Sequence, residues 1–183
     1  MERIAVYYSD KYSGSGSHDL LLIAASLYSG IAKEQLYLES IRGKKPFFIS
    51  HPHIHFSISH SGSIWMCAFA DNEVGADIQL ISGERQWVKL AERFFNPREA
   101  DDVSTSGDKR AVFSRIWSRK EAVVKLFGIG IDGKFATFDS RSDIVNFSGE
   151  DVFIKDINLP ISDDYSASIA YHKNFEVELH KLT

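Results

Sequence analysis

The chain has 183 residues, 44% hydrophobic and 25% charged, with a formal net charge of -4. That is the make-up of an ordinary globular protein with enough sequence for a proper core, and its acidic balance argues against a general nucleic-acid binder. A single cysteine, Cys67, leaves no partner for an internal disulfide or a cysteine-based metal site, and no apolar run approaches the roughly 18 residues of a membrane span.

Residues 3–8 alternate as a first strand and lack the apolar core of a signal peptide, so the cytoplasm is the expected location. After a Ser/Gly loop, Ser17 reads as the N-cap of a helix with Leu20, Leu21, Ala24, Leu27 and Tyr28 on its apolar face, ending at Gly30. Leu36 to Ser40 reads as a short strand. Arg42-Gly43-Lys44-Lys45-Pro46 is a cationic turn, open to two readings: a solvated turn or a phosphate contact. His51 and His53 have the spacing of a zinc pair, with His55 beyond. Pro52 breaks the strand, however, and no carboxylate or cysteine stands beside them, which disfavours a metal site.

Phe56 to Gly62 reads as a strand entering a turn, with Phe56, Ile58 and His60 on one face and Ser57, Ser59 and Ser61 on the other. The Ser–His sequence has no Gly-x-Ser-x-Gly elbow, so a phosphate contact from His60 is preferred to a catalytic triad. Ile64–Ala70 and Val74–Leu80 are expected to form an antiparallel hairpin. Val74, Ala76, Ile78 and Leu80 then face the core, and Asp77 and Gln79 project from the other side. Aspartate is disfavoured inside strands, so Asp77 requires either a local hydrogen bond or a metal ion.

A helix is expected from Glu84 to Phe95. Asn96, Pro97 and Glu99 then supply the N-cap, N1 and N3 positions of a capping box, a reading preferred to a catalytic role for Glu99. The next helix runs from about Asp108 to Phe127, with Val112, Phe113, Ile116, Trp117, Val124 and Phe127 as its apolar stripe and Gly128 as its stop. Within it, Glu121 and Lys125 leave the same flank at i and i+4; alone, that spacing is an ordinary helix pair. Strands are expected at 135–138, 144–147, 152–157, 166–171 and 176–180, the last closing an antiparallel sheet. The class is α+β, with an N-terminal half over 1–83 and a C-terminal half over 84–183.

Five segments in order carry a resemblance: Gly43 to Pro46, Phe56 to Ser61, Val74 to Gln79, Arg93-Phe94-Phe95, and Trp117-Ser118-Arg119-Lys120-Glu121 with Lys125. Together they resemble the 4′-phosphopantetheinyl transferases, of the monomeric, surfactin-synthetase-activating (Sfp-like) type, over about residues 42–131. The resemblance implies two similar α+β halves related by a pseudo-two-fold axis, with the active site between them. It implies transfer of phosphopantetheine from coenzyme A to a serine of an apo acyl, peptidyl or aryl carrier protein, with adenosine 3′,5′-bisphosphate as the other product. Carried over by position, Asp77 and Glu121 hold Mg2+ (Mn2+ as an alternative), with Gln79 reaching it through water. Glu121 also acts as base, and Lys125 steadies a phosphate. Arg42, Lys44, Lys45, Pro46, Ser59, His60, Ser61 and Lys120 join Lys125 in binding the cofactor, and Arg110, Arg115 and Arg119 are candidates for meeting an acidic carrier. A monomer without nucleic-acid or membrane partners is expected.

Two departures from the family pattern stand out. Gln79 replaces a common Glu, and Asp19, after His18, stands where relatives often carry Arg in a first half shorter than theirs. They motivate an alternative, a non-catalytic module of the same fold that binds coenzyme A or a carrier. A metal-dependent phosphohydrolase is the third reading.

Overall fold

The computed structural model describes residues 2–81, 86–130 and 134–182. The expected division at 83/84 and the expected helix start at Glu84 lie outside the described residues. In chain order the elements are β1 (Glu2–Ser9), α1 (Ser17–Ser29), β2 (Leu38–Glu39), β3 (Phe47–Phe48), β4 (His55–Ser61), β5 (Ile64–Ala70) and β6 (Gly75–Leu80). They continue with α2 (Trp87–Phe94), α3 (Pro97–Thr105), α4 (Lys109–Leu126), β7 (Ile144–Phe147), β8 (Glu150–Ile157), β9 (Tyr165–Tyr171) and β10 (Phe175–Lys181).

The class is α+β, as expected, and the larger strands form two four-stranded sheets, β10-β1-β5-β4 and β6-β9-β8-β7. Strands are exchanged between them. β6 pairs antiparallel with β9, with Asp77 opposite Ser168 and Gln79 opposite Ser166. β10 returns to the first sheet and runs parallel to β1. The expected hairpin of 64–80 is therefore corrected: β5 already has β1 on one edge and β4 on the other, so no edge is left for β6. The hairpin here is β4–β5, with Ser61 opposite Ile64. Segment 176–180 is likewise a strand, but not of the second sheet. Phe135–Thr137 is a 3-10 turn rather than a strand; its aromatic content serves burial, with the Phe135 ring 5.1 Å from that of Trp117, edge to face.

The serine alternation in β4 joins the two sheets. Ser57, Ser59 and Ser61 hydroxyls accept the backbone N–H groups of Ala76, Ile78 and Leu80 at 3.0, 3.2 and 2.9 Å. β6 is an edge strand, and its inward N–H groups would otherwise be buried without acceptors. The serine oxygens act as the carbonyls of a missing neighbour.

Helix α4 starts at an Asp108 cap whose carboxylate accepts the Ala111 N–H at 3.1 Å, and it stops at Gly128, φ 64°. It is buried on more sides than a single stripe: Ser114, Ser118, Arg119 and Lys120 are covered along with its apolar residues. α4 packs directly on β6 at Gly75, where a Cβ would sit 1.8 Å from the Ala122 carbonyl oxygen. Only glycine allows that approach, and it fixes how the Glu121 flank meets Asp77. In α1 the cap is Gly16, not Ser17, whose hydroxyl accepts from the Trp65 indole at 2.8 Å. Leu27, expected on the apolar face, is 62% exposed.

Candidate active site

Asp77 lies at the centre. The period of β6 sends Ala76 and Ile78 into one core and Asp77 toward α4, where it is buried. One carboxylate oxygen, Oδ1, accepts from Ser59 Oγ and from Lys125 Nζ, both at 2.7 Å. The other accepts from Gln79 Nε2 at 2.8 Å. The local hydrogen bonds that an aspartate in a strand requires are present, and they use Gln79 as a donor.

Glu121 lies one turn before Lys125, and among the described residues no hydrogen bond reaches its carboxylate. Burial pushes its pKa up, the negative charge of Asp77 pushes the same way, and Lys125 opposes; the result is about 7. Two carboxylates near enough for the charge of one to oppose ionisation of the other, with a single ammonium bonded to Asp77, form a donor set short of positive charge, which fits a hard divalent cation. Asp77 and Glu121 are the residues that would hold it.

This shift has a consequence for stability. Between its ordinary value of 4.5 and about 7, the Glu121 carboxyl binds more protons folded than unfolded. Its contribution is therefore fully present below pH 4.5, falls as pH rises, and is flat above about 7. With divalent cations chelated, urea unfolding is expected to show a loss of about 1–2 kcal/mol from this group across that window, discounted for partial exposure. Glu121→Gln should flatten that part of the profile.

Beside Lys125 opens a cleft of about 320 Å³, lined also by Lys44, Lys45, Pro46, Ser57 and Gly128 among others; Asp77 and Glu121 do not line it. A second cleft of about 520 Å³ adjoins it and shares Gly43, Lys44, Lys45 and Gly128, with Glu73, Glu150 and His172 on its other walls. Lys45 runs over Gly128, where a Cβ would come within 3.3 Å of its stem. Its ammonium pairs with Glu73 and donates to the Val74 carbonyl at 2.9 Å.

The structure thus brings Asp77, Gln79, Ser59, Glu121 and Lys125 together, and puts Lys44, Lys45 and Pro46 on the cleft walls. Ser59 faces Asp77, not the cleft, and Ser61 is taken up by the Leu80 N–H. Arg42 is exposed on the turn, with no ion pair among the described residues. His60 is exposed on the opposite side of β4, its ring 5.0 Å from that of Tyr12, and lines neither cleft. His55 bonds to Glu73 at 3.1 Å, and no group of three metal-ligating side chains occurs among the described residues.

Two expectations are corrected. Lys120 does not reach a cofactor: it is wholly buried and bonded to Glu99 at 2.8 Å and to the carbonyls of Phe135 and Phe138. Arg119 is buried as well, held by Asp156, Asp143 and the carbonyls of Ser140 and Ser142, so it does not face a carrier. Sequence reading missed Glu73, which no spacing rule connects to Lys45.

A family model described as the 4′-phosphopantetheinyl transferase superfamily matches residues 73–176, more than half of the chain. The chain belongs to the 4′-phosphopantetheinyl transferase superfamily. The matched span holds Asp77, Gln79, Glu121 and Lys125; the cationic turn and His60 precede it. The chain is 37% identical over 110 residues to 4′-phosphopantetheinyl transferase psf-1 of Bacillus pumilus, covering 59% of this chain and 46% of that protein. It is 29% identical over 136 residues to 4′-phosphopantetheinyl transferase Sfp of Bacillus subtilis (strain 168), covering 73% and 55%. Among solved structures, holo-[acyl-carrier-protein] synthase of Thermotoga maritima aligns at a TM-score of 0.39 with 18% identity, covering 54% of this chain and 61% of that one. The chain spans about half the length of these two curated superfamily members.

Proposed function

We propose that this chain transfers the 4′-phosphopantetheine of coenzyme A to a serine of an apo acyl, peptidyl or aryl carrier protein, releasing adenosine 3′,5′-bisphosphate. The observation that carries this reading is that Asp77, Glu121 and Lys125 come together, with Lys125 reaching a cleft that Lys44 and Lys45 also line, in a chain of this superfamily. In the reaction the serine oxygen bonds to the phosphorus that carries pantetheine. The bridging P–O bond of the pyrophosphate breaks, and its electron pair leaves on the adenosine bisphosphate. Glu121 takes the serine proton as the positioned base. Lys125 shifts its ammonium between Asp77 and a phosphate oxygen, where charge develops. Mg2+ (or Mn2+), held by Asp77 and Glu121 with Gln79 alongside, supplies neutralisation of the phosphate charge when bound. Ser59 and Gln79 keep the Asp77 carboxylate oriented. We place the enzyme in the cytoplasm as a monomer.

The test is incubation with apo acyl, peptidyl and aryl carriers, coenzyme A and Mg2+, followed by intact-mass measurement of the carriers. A gain equal to one phosphopantetheine is expected on at least one of them. Coenzyme A binding without any gain would favour the second reading, a non-catalytic binding module. Gln79 in place of a carboxylate is the observation behind that alternative.

A further inference from the structure

We infer that Glu73 is an internal competitor for the substrate, occupying the Lys45 ammonium that a phosphate of coenzyme A must take over. The inference rests on the transferase reading above and concerns a residue that neither the motifs nor the superfamily assignment explains. Lys45 Nζ pairs with Glu73 Oε2, while His55 Nδ1 lies 3.1 Å from Oε1 of the same carboxylate. An ammonium and an imidazole therefore converge on one anionic group at the boundary of the two clefts, with Lys44 beside them. That is the donor arrangement of an anion subsite, filled here by the chain's own carboxylate.

The pair is built to be broken. Lys45 is 22% exposed and Glu73 48% exposed, so neither is stranded in a dry interior if they part. After Lys45 leaves, His55 still holds Glu73, and Lys45 can retain the Val74 carbonyl. The Lys120–Glu99 pair is a useful contrast: both partners are fully buried, and separation would strand two charges. Burial raises the pKa of Glu73, but bonds and charge from Lys45, then His55, outweigh it and keep the carboxylate ionised. An ionised carboxylate at this point also repels an arriving phosphate.

A competitor and a tether make opposite predictions. If Glu73 competes, Glu73→Gln and Glu73→Ala tighten coenzyme A binding by roughly three- to tenfold, the range set by an exposed ion pair and one removed like charge. If Glu73 only positions Lys45, both variants bind more weakly. Isothermal titration with coenzyme A, in parallel with 3′-dephospho-coenzyme A, reads this directly. A gain confined to coenzyme A assigns the contact to the 3′-phosphate; an equal gain for both assigns it to the pyrophosphate; either supports competition. In a Lys45→Met background the share of the gain that comes from freeing the ammonium should vanish, leaving only the share from the removed like charge. Wild-type binding with unchanged or weakened binding in both variants overturns the inference and leaves the transferase reading intact. Failure of wild type and variants alike to bind coenzyme A overturns the transferase reading itself.

Discussion

Glu121→Gln is expected to slow holo-carrier formation by about 10²- to 10⁴-fold, the range for loss of a positioned general base, while the far-UV spectrum stays that of the parent. The substitution keeps the shape of the side chain and removes only its charge and basicity. Glu121 sits on the part of α4 held against Gly75, and none of its own hydrogen bonds is lost, because no bond to its carboxylate occurs among the described residues. With divalent cations chelated, the variant should be more stable than the parent above pH 7, since burial and Asp77 both oppose ionisation of Glu121. Lower activity with higher stability is the pattern of a functional acid, not of a surface salt link. Single-turnover measurement of the carrier mass with Mg2+ present, and denaturation curves on the same proteins with divalent cations chelated, check both. Full turnover in Glu121→Gln would remove the residue from the proposed base and metal roles.

What the sequence made legible is largely local. The box at Asn96, Pro97 and Glu99 forms as read, because capping depends on residues three apart. The Asp108 cap and the Gly128 stop of α4 follow for the same reason. The opposed faces of β6 put Asp77 away from Ala76 and Ile78, as a two-residue period requires. Asp77 and Glu121 were joined only through the family resemblance. Neither strand nor helix periodicity says that α4 lies across β6, and the clearest local hint was a glycine, Gly75, whose reason is a backbone carbonyl 47 positions away.

The misreadings share one cause: each depends on a partner distant in sequence. Chain order favours pairing β5 with β6, but β1 and β4 had already filled both edges of β5. The alternation of β4 correctly separated its two faces but did not reveal that its serines serve β6 as acceptors. Cations on a helix read as solvated or as ligand contacts. Arg119 and Lys120 are neither, because α4 is enclosed by the second sheet, α2, α3 and the 135–138 segment, which supply acceptors for both.

Lys120→Met is expected to cost about 3–5 kcal/mol of folding stability, the usual result of removing one partner from a buried ion pair. Its ammonium is fully buried, 2.8 Å from Glu99 Oε2, and donates to Phe135 and Phe138 carbonyls at 2.5 and 2.7 Å. Burial pushes its pKa down, and the charge of Glu99 only partly offsets this. Glu99 keeps donors after the substitution, since Oε1 accepts from the Ser140 N–H and hydroxyl, both at 2.7 Å, and Oε2 from the Asn96 amide at 2.8 Å. Its negative charge nevertheless remains buried without a cation, so the double variant Lys120→Met with Glu99→Gln should recover at least about 1 kcal/mol of the loss through coupling of the two sites. Urea unfolding of both singles and the double closes the cycle. A cost below about 1 kcal/mol for Lys120→Met would show that the pair does not hold α3, α4 and the 135–140 segment together. Since Lys120 precedes Glu121 directly, this buried cluster also sets the rotation of α4 about its axis. Stability and alignment of the candidate base should therefore fail together in Lys120→Met, and be restored together, in part, in the double variant.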